Sequence, residues 1–332
     1  MFQYIIKRLF YMIPTIFVIS FITFFLIQLP PGDFLNAYAS KAALEGEVIT
    51  KVEMERLREE YGFDQPILVQ YGKWISKIIT KGDFGHSFEQ NMKVTAIIKS
   101  RMGMTILVSM MSLLFTYIVS IPISIYSATH QYSIGDYTAT VIGFLGMATP
   151  NFILAIIMMY FAFKVFGTPL IGLNSPEYIG TAWSIGRILD LFKHLIIPII
   201  VIGTAGTAGL IRQTRSQLLD QIKQQYVITA RAKGMEERKL IFKYPIRSAL
   251  LPMVSGIGYE LVGIFSGSTI TAIVLNLPTQ GPVIYHALVV QDMYLAGGFL
   301  LITTVLTVFG TLVSDIGLAW LDPRIRFGNR EN

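Results

Sequence analysis

Charged side chains inside apolar runs are where this chain could do chemistry, because a charge at membrane depth is costly and marks function when it occurs. Three stand out: Glu260, Asp315 and Lys164. A carboxylate at depth is the working part of a proton relay, and Glu260, nearest the middle of its run, is the candidate for that role. A polar cavity lining or an interhelical hydrogen bond is the blander use of the same residue. Asp315 lies about two turns from the end of its run and can pair with a basic residue beyond it, and Lys164 can snorkel from the end of its own. Ser266-Gly267-Ser268 has the form of a nucleophile turn suited to intramembrane hydrolysis. The same small residues also let helices pack closely. The histidines His86, His130, His194 and His286 are scattered, and none stands in H-E-x-x-H. Gly72-Lys73 is followed by Trp74, with Ile67 where a phosphate loop needs glycine, so any nucleotide energy must come from another chain. Cys is absent, which removes thiol nucleophiles, disulfides and Cys-ligated metals together.

The elements that would position these residues follow from composition. The 332 residues are 53% hydrophobic and 14% charged, against about 25% charged in an ordinary soluble domain. That excludes a typical soluble enzyme and a disordered chain alike. A bilayer core needs about 20 apolar residues per helix, and six runs of that kind predict an all-α polytopic membrane protein with a single membrane domain. They are Leu9 to Leu29, Thr105 to Ala128, Thr138 to Gly167, Leu195 to Ile211, Leu250 to Leu277 and Leu295 to Leu321. The first follows Lys7 and Arg8 but is too long for a signal-peptide core and lacks an A-x-A site after it, so it reads as an uncleaved span.

Lys and Arg in the short loops set the orientation. Arg212 to Arg247 carries nine of them against three acids, and Arg324, Arg326 and Arg330 mark the C-terminal tail. The net charge of +6 is a topology signal or an anionic-lipid contact and does not indicate a nucleic-acid surface. With six spans, both termini and the loop 212–247 face the cytoplasm. The segment 30–101 lies outside, its ten basic residues matched by ten acidic ones. Met54 to Tyr61 reads as a helix stopped by Gly62, so this insertion is a small folded outer layer.

Two stretches carry mechanical signals. Gly203-Thr204-Ala205-Gly206-Thr207-Ala208-Gly209 fits either close helix packing or a pore-side helix, with Thr204 and Thr207 as candidate lining residues beside Glu260. In the loop, Ser216 to Lys233 is helix-compatible, Gly234 breaks it, and Glu236-Glu237 opens a second helix that Pro245 and Pro252 punctuate. A helix–Gly–helix of this kind can dock into a soluble partner. It can also rest on anionic lipid as a basic amphipathic surface.

At Tyr226-Val227-Ile228-Thr229-Ala230-Arg231-Ala232-Lys233-Gly234-Met235 the sequence resembles the "EAA" coupling loop of ABC-importer permeases, in the form of the oligopeptide/dipeptide group. Gly234 matches the motif's glycine, and only Ala230 is kept of the leading Glu-Ala-Ala. The later Ile-x-Leu-Pro is replaced by Tyr244-Pro245-Ile246-Arg247. Further similarities run along the chain: Pro31-Gly32-Asp33; Tyr61-Gly62-Phe63-Asp64-Gln65-Pro66 with Gln70-Tyr71 and Trp74; Gly82-Asp83-Phe84-Gly85-His86-Ser87; Thr149-Pro150-Asn151-Phe152; and Asp322-Pro323-Arg324-Ile325-Arg326. They resemble the group's "B" permease and not its shorter "C" partner. Residues 272–281 depart from the group's Glu, Phe and Pro-Gly-x-Gly pattern, and Gln291-Asp292 stands for its Arg-Asp.

The resemblance implies a type I ABC importer permease fold and one half of a translocation pore in a prokaryotic plasma (inner) membrane. Implied partners are a second homologous permease, two cytoplasmic ABC ATPases, an extracytoplasmic solute-binding protein and membrane lipid, with no nucleic acid. The chain would be no enzyme and hold no cofactor, since ATP and Mg would sit on the ATPases. Thr229, Ala230, Arg231, Lys233, Gly234, Met235, Glu237 and Arg238 would form the contact with an ATPase. The solute would be a peptide or, on the departures at 272–292, a plant-type oligosaccharide. A proton-coupled carrier using Glu260 and an intramembrane hydrolase are the competing readings.

Overall fold

The computed structural model describes residues 2–29, 43, 50–61, 64–87 and 89–321. The motifs at Pro31–Asp33, Gly62–Phe63 and Asp322–Arg326 and the tail arginines lie outside them. In chain order the elements are α1 (Phe2–Ile27), α2 (Lys51–Tyr61), α3 (Ile67–Lys81), β1 (His86–Ser87), β2 (Met92–Lys93), α4 (Val94–Thr129), α5 (Ile134–Ala148), α6 (Asn151–Phe166), α7 (Ile185–Ile222), α8 (Gln225–Ala232), α9 (Glu237–Lys243), α10 (Pro245–Ala249), α11 (Leu251–Gly267), α12 (Thr269–Val274), α13 (Gln280–Val289) and α14 (Met293–Leu321). The two strands form an antiparallel hairpin with His86 opposite Lys93. Helices α1, α4, α7 and α14 are long and apolar enough to cross a membrane, and two bent pairs bring the number to six if each pair counts as one span.

Several expected boundaries change, each for a physical reason. The third run, Thr138 to Gly167, is two helices, α5 and α6, bent by 106°. Pro150 stands at the break in an extended conformation (φ −56°, ψ 134°), since it offers no amide to the preceding turn and pushes Thr149 out of the helical region. The fourth run, expected over Leu195 to Ile211, is the middle of the 38-residue α7. Polar turns on both flanks carry the helix beyond the apolar run. The segment Val94–Arg101, expected within the outer insertion, is the first two turns of α4. The fifth run ends as α11 at Gly267, followed by the short α12.

The expected single domain divides into two compact units. One gathers residues 10–104 and 279–306. Its core joins Phe24 of α1, Tyr71 and Trp74 of α3, Val94, Ile97 and Ile98 of α4, and Tyr294, Leu295 and Phe299 of α14. Polar contacts fix the register. The Ser20 and Tyr71 hydroxyls are 2.6 Å apart, Gln28 Nε2 donates to Gln70 Oε1 at 2.9 Å, and the Trp74 indole N–H donates to the Phe84 carbonyl at 3.3 Å. Asp292, 1% exposed, accepts from Ser87 Oγ at 2.6 Å, the Glu89 amide at 3.3 Å and the Leu295 amide at 3.1 Å. It thereby caps α14 and pins the hairpin. Burial pushes the Asp292 carboxyl above the usual carboxylate range, and the Ser87, Leu295 and Glu89 donors pull against that. Gly85 has φ +101°, and a Cβ there would meet the Tyr294 ring at 2.9 Å, so glycine is required twice over.

The other unit gathers residues 1–9, 105–278 and 307 onward. Glycines set its helix spacings. A Cβ on Gly146 would lie 2.9 Å from Thr204, and one on Gly143 would lie 3.5 Å from Ala208, so α5 lies close on α7. A Cβ on Gly258 would meet the Thr311 backbone at 2.8 Å, and the Gly258 amide donates to Ser314 Oγ at 2.8 Å, so α11 lies close on α14. Arg8 pairs with Asp315 at 3.2 Å.

Candidate functional site

Both groups of residues singled out by the sequence fall in this second unit. Helix α7 ends at Ile222, and after Lys223 an extended Gln224 (φ −70°, ψ 148°) redirects the chain into α8. The loop expected from Arg212 is therefore helix for its first eleven residues, and the helix expected over Ser216 to Lys233 is broken at 223–224. Val227 on α8 and Leu240 on α9 are both 0% exposed. Ala128, Leu218, Ile246 and Ala249 form a small apolar cluster. Each short helix thus buries one large apolar side chain, and the cluster holds α10 against the ends of α4 and α7.

The turn between α8 and α9 carries the motif glycine. Gly234 has φ +79°, with nothing within 4 Å of a Cβ placed there. Glycine is thus required by conformation and not by crowding within this chain. The turn closes through Lys233 N to Thr229 O at 3.1 Å, Gly234 N to Arg231 O at 3.0 Å and Met235 N to Ala230 O at 3.4 Å. Across it Arg231 grips Glu237 with two bonds, Nε to Oε2 at 2.9 Å and an Nη to Oε1 at 2.6 Å. Thr229, Arg231, Lys233 and Arg238 are exposed, and Ala230 and Met235 are half-buried. Tyr226, Ile228 and Phe242 add large apolar side chains to the exposed surface.

Of the second group, Glu260 lies on the wall of a cavity of about 850 Å³. Helix α11 gives it Glu260, Gly263, Ile264 and Gly267, and α7 gives Ala205, Gly206, Gly209, Gln213 and Gln217. These recur at three and four residues, which is one face of each helix. Gly258 and the residues in phase with it occupy the opposite face of α11, against α14. Glu260 Oε2 lies 3.0 Å from where a Cβ on Gly206 would stand, so Gly206 makes the room for that carboxylate. Helix α4 holds the walls: Thr116 Oγ1 donates to the Gly203 carbonyl at 2.9 Å, and the Tyr117 hydroxyl donates to the Met253 carbonyl at 2.8 Å.

The expected lining residues Thr204 and Thr207 are not among the residues that line this cavity. Each hydroxyl bonds a carbonyl one turn back, Ile200 for Thr204 and Gly203 for Thr207, and Thr204 packs on Gly146 of α5. The glycine-rich stretch thus packs with one face and borders this cavity with another. Ser266 Oγ donates to the Val262 carbonyl at 2.9 Å, inside its own helix. Lys164 Nζ stands 5.3 Å from the centre of the Tyr160 ring.

Sequence reading missed Asn151, Arg212, Gln213, Ser216 and Gln217 as cavity residues. The continuation of the 205/206/209 spacing into 213, 216 and 217 was the available signal. It also missed Asp136, 3% exposed, which takes two bonds from Arg215, from Nε at 3.0 Å and an Nη at 2.8 Å. Asp136 also accepts from the amide of Tyr132, whose φ is +61°. This pair ties the start of α5 to the part of α7 that leads into the loop.

Residues 120–327 match the family described as the binding-protein-dependent transport system inner membrane component. Residues 1–110 match its N-terminal companion. Among curated proteins, the chain is 33% identical to the oligopeptide transport system permease protein AppB of Bacillus subtilis, covering 98% of this chain and 99% of that one. It is 31% identical to the inner membrane ABC transporter permease protein YejB of Escherichia coli O157:H7, with 98% and 99% covered. It is 29% identical to the oligopeptide transport system permease protein OppB of Haemophilus influenzae, with 98% and 100% covered. A helical membrane chain with small-residue helix contacts, a spanning-helix cavity and an anchored helix–Gly–helix loop thus belongs to the inner-membrane permease components of binding-protein-dependent ABC transport systems.

Proposed function

We propose that this chain is one permease subunit of an importer for short peptides, driven by ATP hydrolysis on separate cytoplasmic ATPases. A second permease completes the pore, and an extracytoplasmic binding protein delivers the solute. Both termini and the loop 212–247 face the cytoplasm. The observation that carries the reading is the loop: Val227 and Leu240 are fully buried, while Tyr226, Ile228, Arg231, Arg238 and Phe242 stay exposed for a partner. Displacing α8 displaces α7, and α7 lines the cavity. The names of the oligopeptide relatives support a peptide as solute. So does a cavity of about 850 Å³, which falls in the range of about 300–1,000 Å³ that small molecules occupy.

Gly234→Asp tests this reading. A Cβ at Gly234 meets nothing in this chain, so the cost to the fold is limited to left-handed strain of about 1 kcal/mol. The variant is expected to insert normally, to lose the ATPases on co-purification and to lose uptake. Normal ATPase recovery with normal uptake would overturn the coupling role and leave a helix resting on lipid.

A further inference from the structure

Glu260 is a carboxylate on the wall of a cavity within the membrane-spanning helices, and its surroundings do nothing to neutralise it. Among the described residues no hydrogen bond or ion pair reaches it, and the facing position on α7 is Gly206, with Gly263 and Gly267 beside it on its own helix. Arg212 lines the same cavity but stands six residues beyond Gly206 along α7, roughly 9 Å at 1.5 Å per residue, and the two make no ion pair. A carboxylate placed to stabilise the protein finds donors, as Asp292 and Asp136 do. One on a cavity wall whose polar neighbours, Gln213 and Gln217 of α7 among them, leave it unbonded is placed for something that arrives. The chemistry that complements it is a positively charged group with N–H donors, reaching it from the cavity.

We infer that Glu260 is a recognition site for an ammonium group of the passing solute, the α-ammonium or a lysyl side chain of a peptide. This rests on the peptide reading above. It adds a selectivity step within the permease, separate from any selection by the binding protein. The contact is transient, because no second carboxylate faces the cavity among its lining residues and Arg212 disfavours a cation farther along.

The test uses the complete transporter in proteoliposomes with its binding protein, as wild type, Glu260→Gln and Glu260→Asp. Because the binding protein is the same throughout, a change in the ratio between two solutes reports on the permease. Uptake is measured for trialanine, N-acetyl-trialanine and Ala-Lys-Ala. In Glu260→Gln the ratio of trialanine to its N-acetylated form, or of Ala-Lys-Ala to trialanine, is expected to fall about tenfold, the scale of one charge-assisted hydrogen bond. The ratio that falls identifies which ammonium is read, and Glu260→Asp restores it. Unchanged ratios would overturn the inference, as would an equal loss for every solute, which is the outcome of a structural or proton-relay role. If the wild type imports none of these peptides, the peptide reading itself falls, and that is visible before any variant is compared.

Discussion

Two carboxylates, Asp292 buried and Glu260 half-buried, behave in opposite ways. Asp292 sits in the core formed by residues 10–104 and 279–306, with donors from Ser87, Glu89 and Leu295 on its two oxygens. Glu260 sits on a cavity wall in the other unit, facing Gly206, with no hydrogen bond among the described residues. The first is part of the structure: it caps a helix and fixes a hairpin 205 residues away in sequence. The second has been left room. A fold that satisfies one acid completely and leaves another bare separates holding from handling, and Asp136 with Arg215 belongs with the first kind.

The largest expected effect is at that ion pair. Asp136→Ala leaves the Arg215 guanidinium without its carboxylate and frees the strained Tyr132 turn, and should destabilise the protein by about 3 kcal/mol. Thermal unfolding of the purified protein in detergent measures it. A shift no larger than that of an exposed substitution would place Asp136 with Glu260. Asp292→Asn should cost about 2 kcal/mol, because one accepting oxygen becomes a donor facing Ser87 or Leu295. It also carries a pH signature. Because burial lifts the Asp292 carboxyl, protonation stabilises the folded state. Wild type should lose stability as pH rises from about 4, the ordinary Asp value, through the raised folded value, and the Asn variant should lack that slope. A slope of the opposite sign would mean that the three donors outweigh burial. The smallest effect is at Glu260. Glu260→Gln should change the free energy of unfolding by no more than about 0.5 kcal/mol, and a loss of about 2 kcal/mol or more would show that the carboxylate is held after all.

How far the sequence could be read follows the same division. Glu260 was visible because a carboxylate in an apolar run is conspicuous, and Gly234 because a glycine between two helix-compatible stretches predicts a break. The partners of Asp136 and Asp292 were not visible. Both pairings join residues distant in the chain, 79 positions apart for Asp136 with Arg215, and nothing local announces them. The cavity faces of α7 were half visible: the small residues showed, but Thr204 and Thr207 could not be assigned to a face until α5 and α4 were in place. Pro150 was read as part of a motif, while its local effect on the backbone, a break within an apolar run, passed unnoticed.

Helix α7 runs unbroken from Ile185 to Ile222, about 57 Å at 1.5 Å per residue. It works as a lever as much as a span. Rotated about its midpoint by about 10°, a rod of that length carries each end through about 5 Å. The Gly206 region lies near the middle, where displacement is smallest, and the junction with α8 lies at one tip, where it is largest. A nudge of a few ångströms at the loop therefore reaches Gly206 as a change of tilt with little translation, while Gln217, nearer the tip, takes most of the displacement. The two walls can open toward one mouth and narrow toward the other while the helix stays whole.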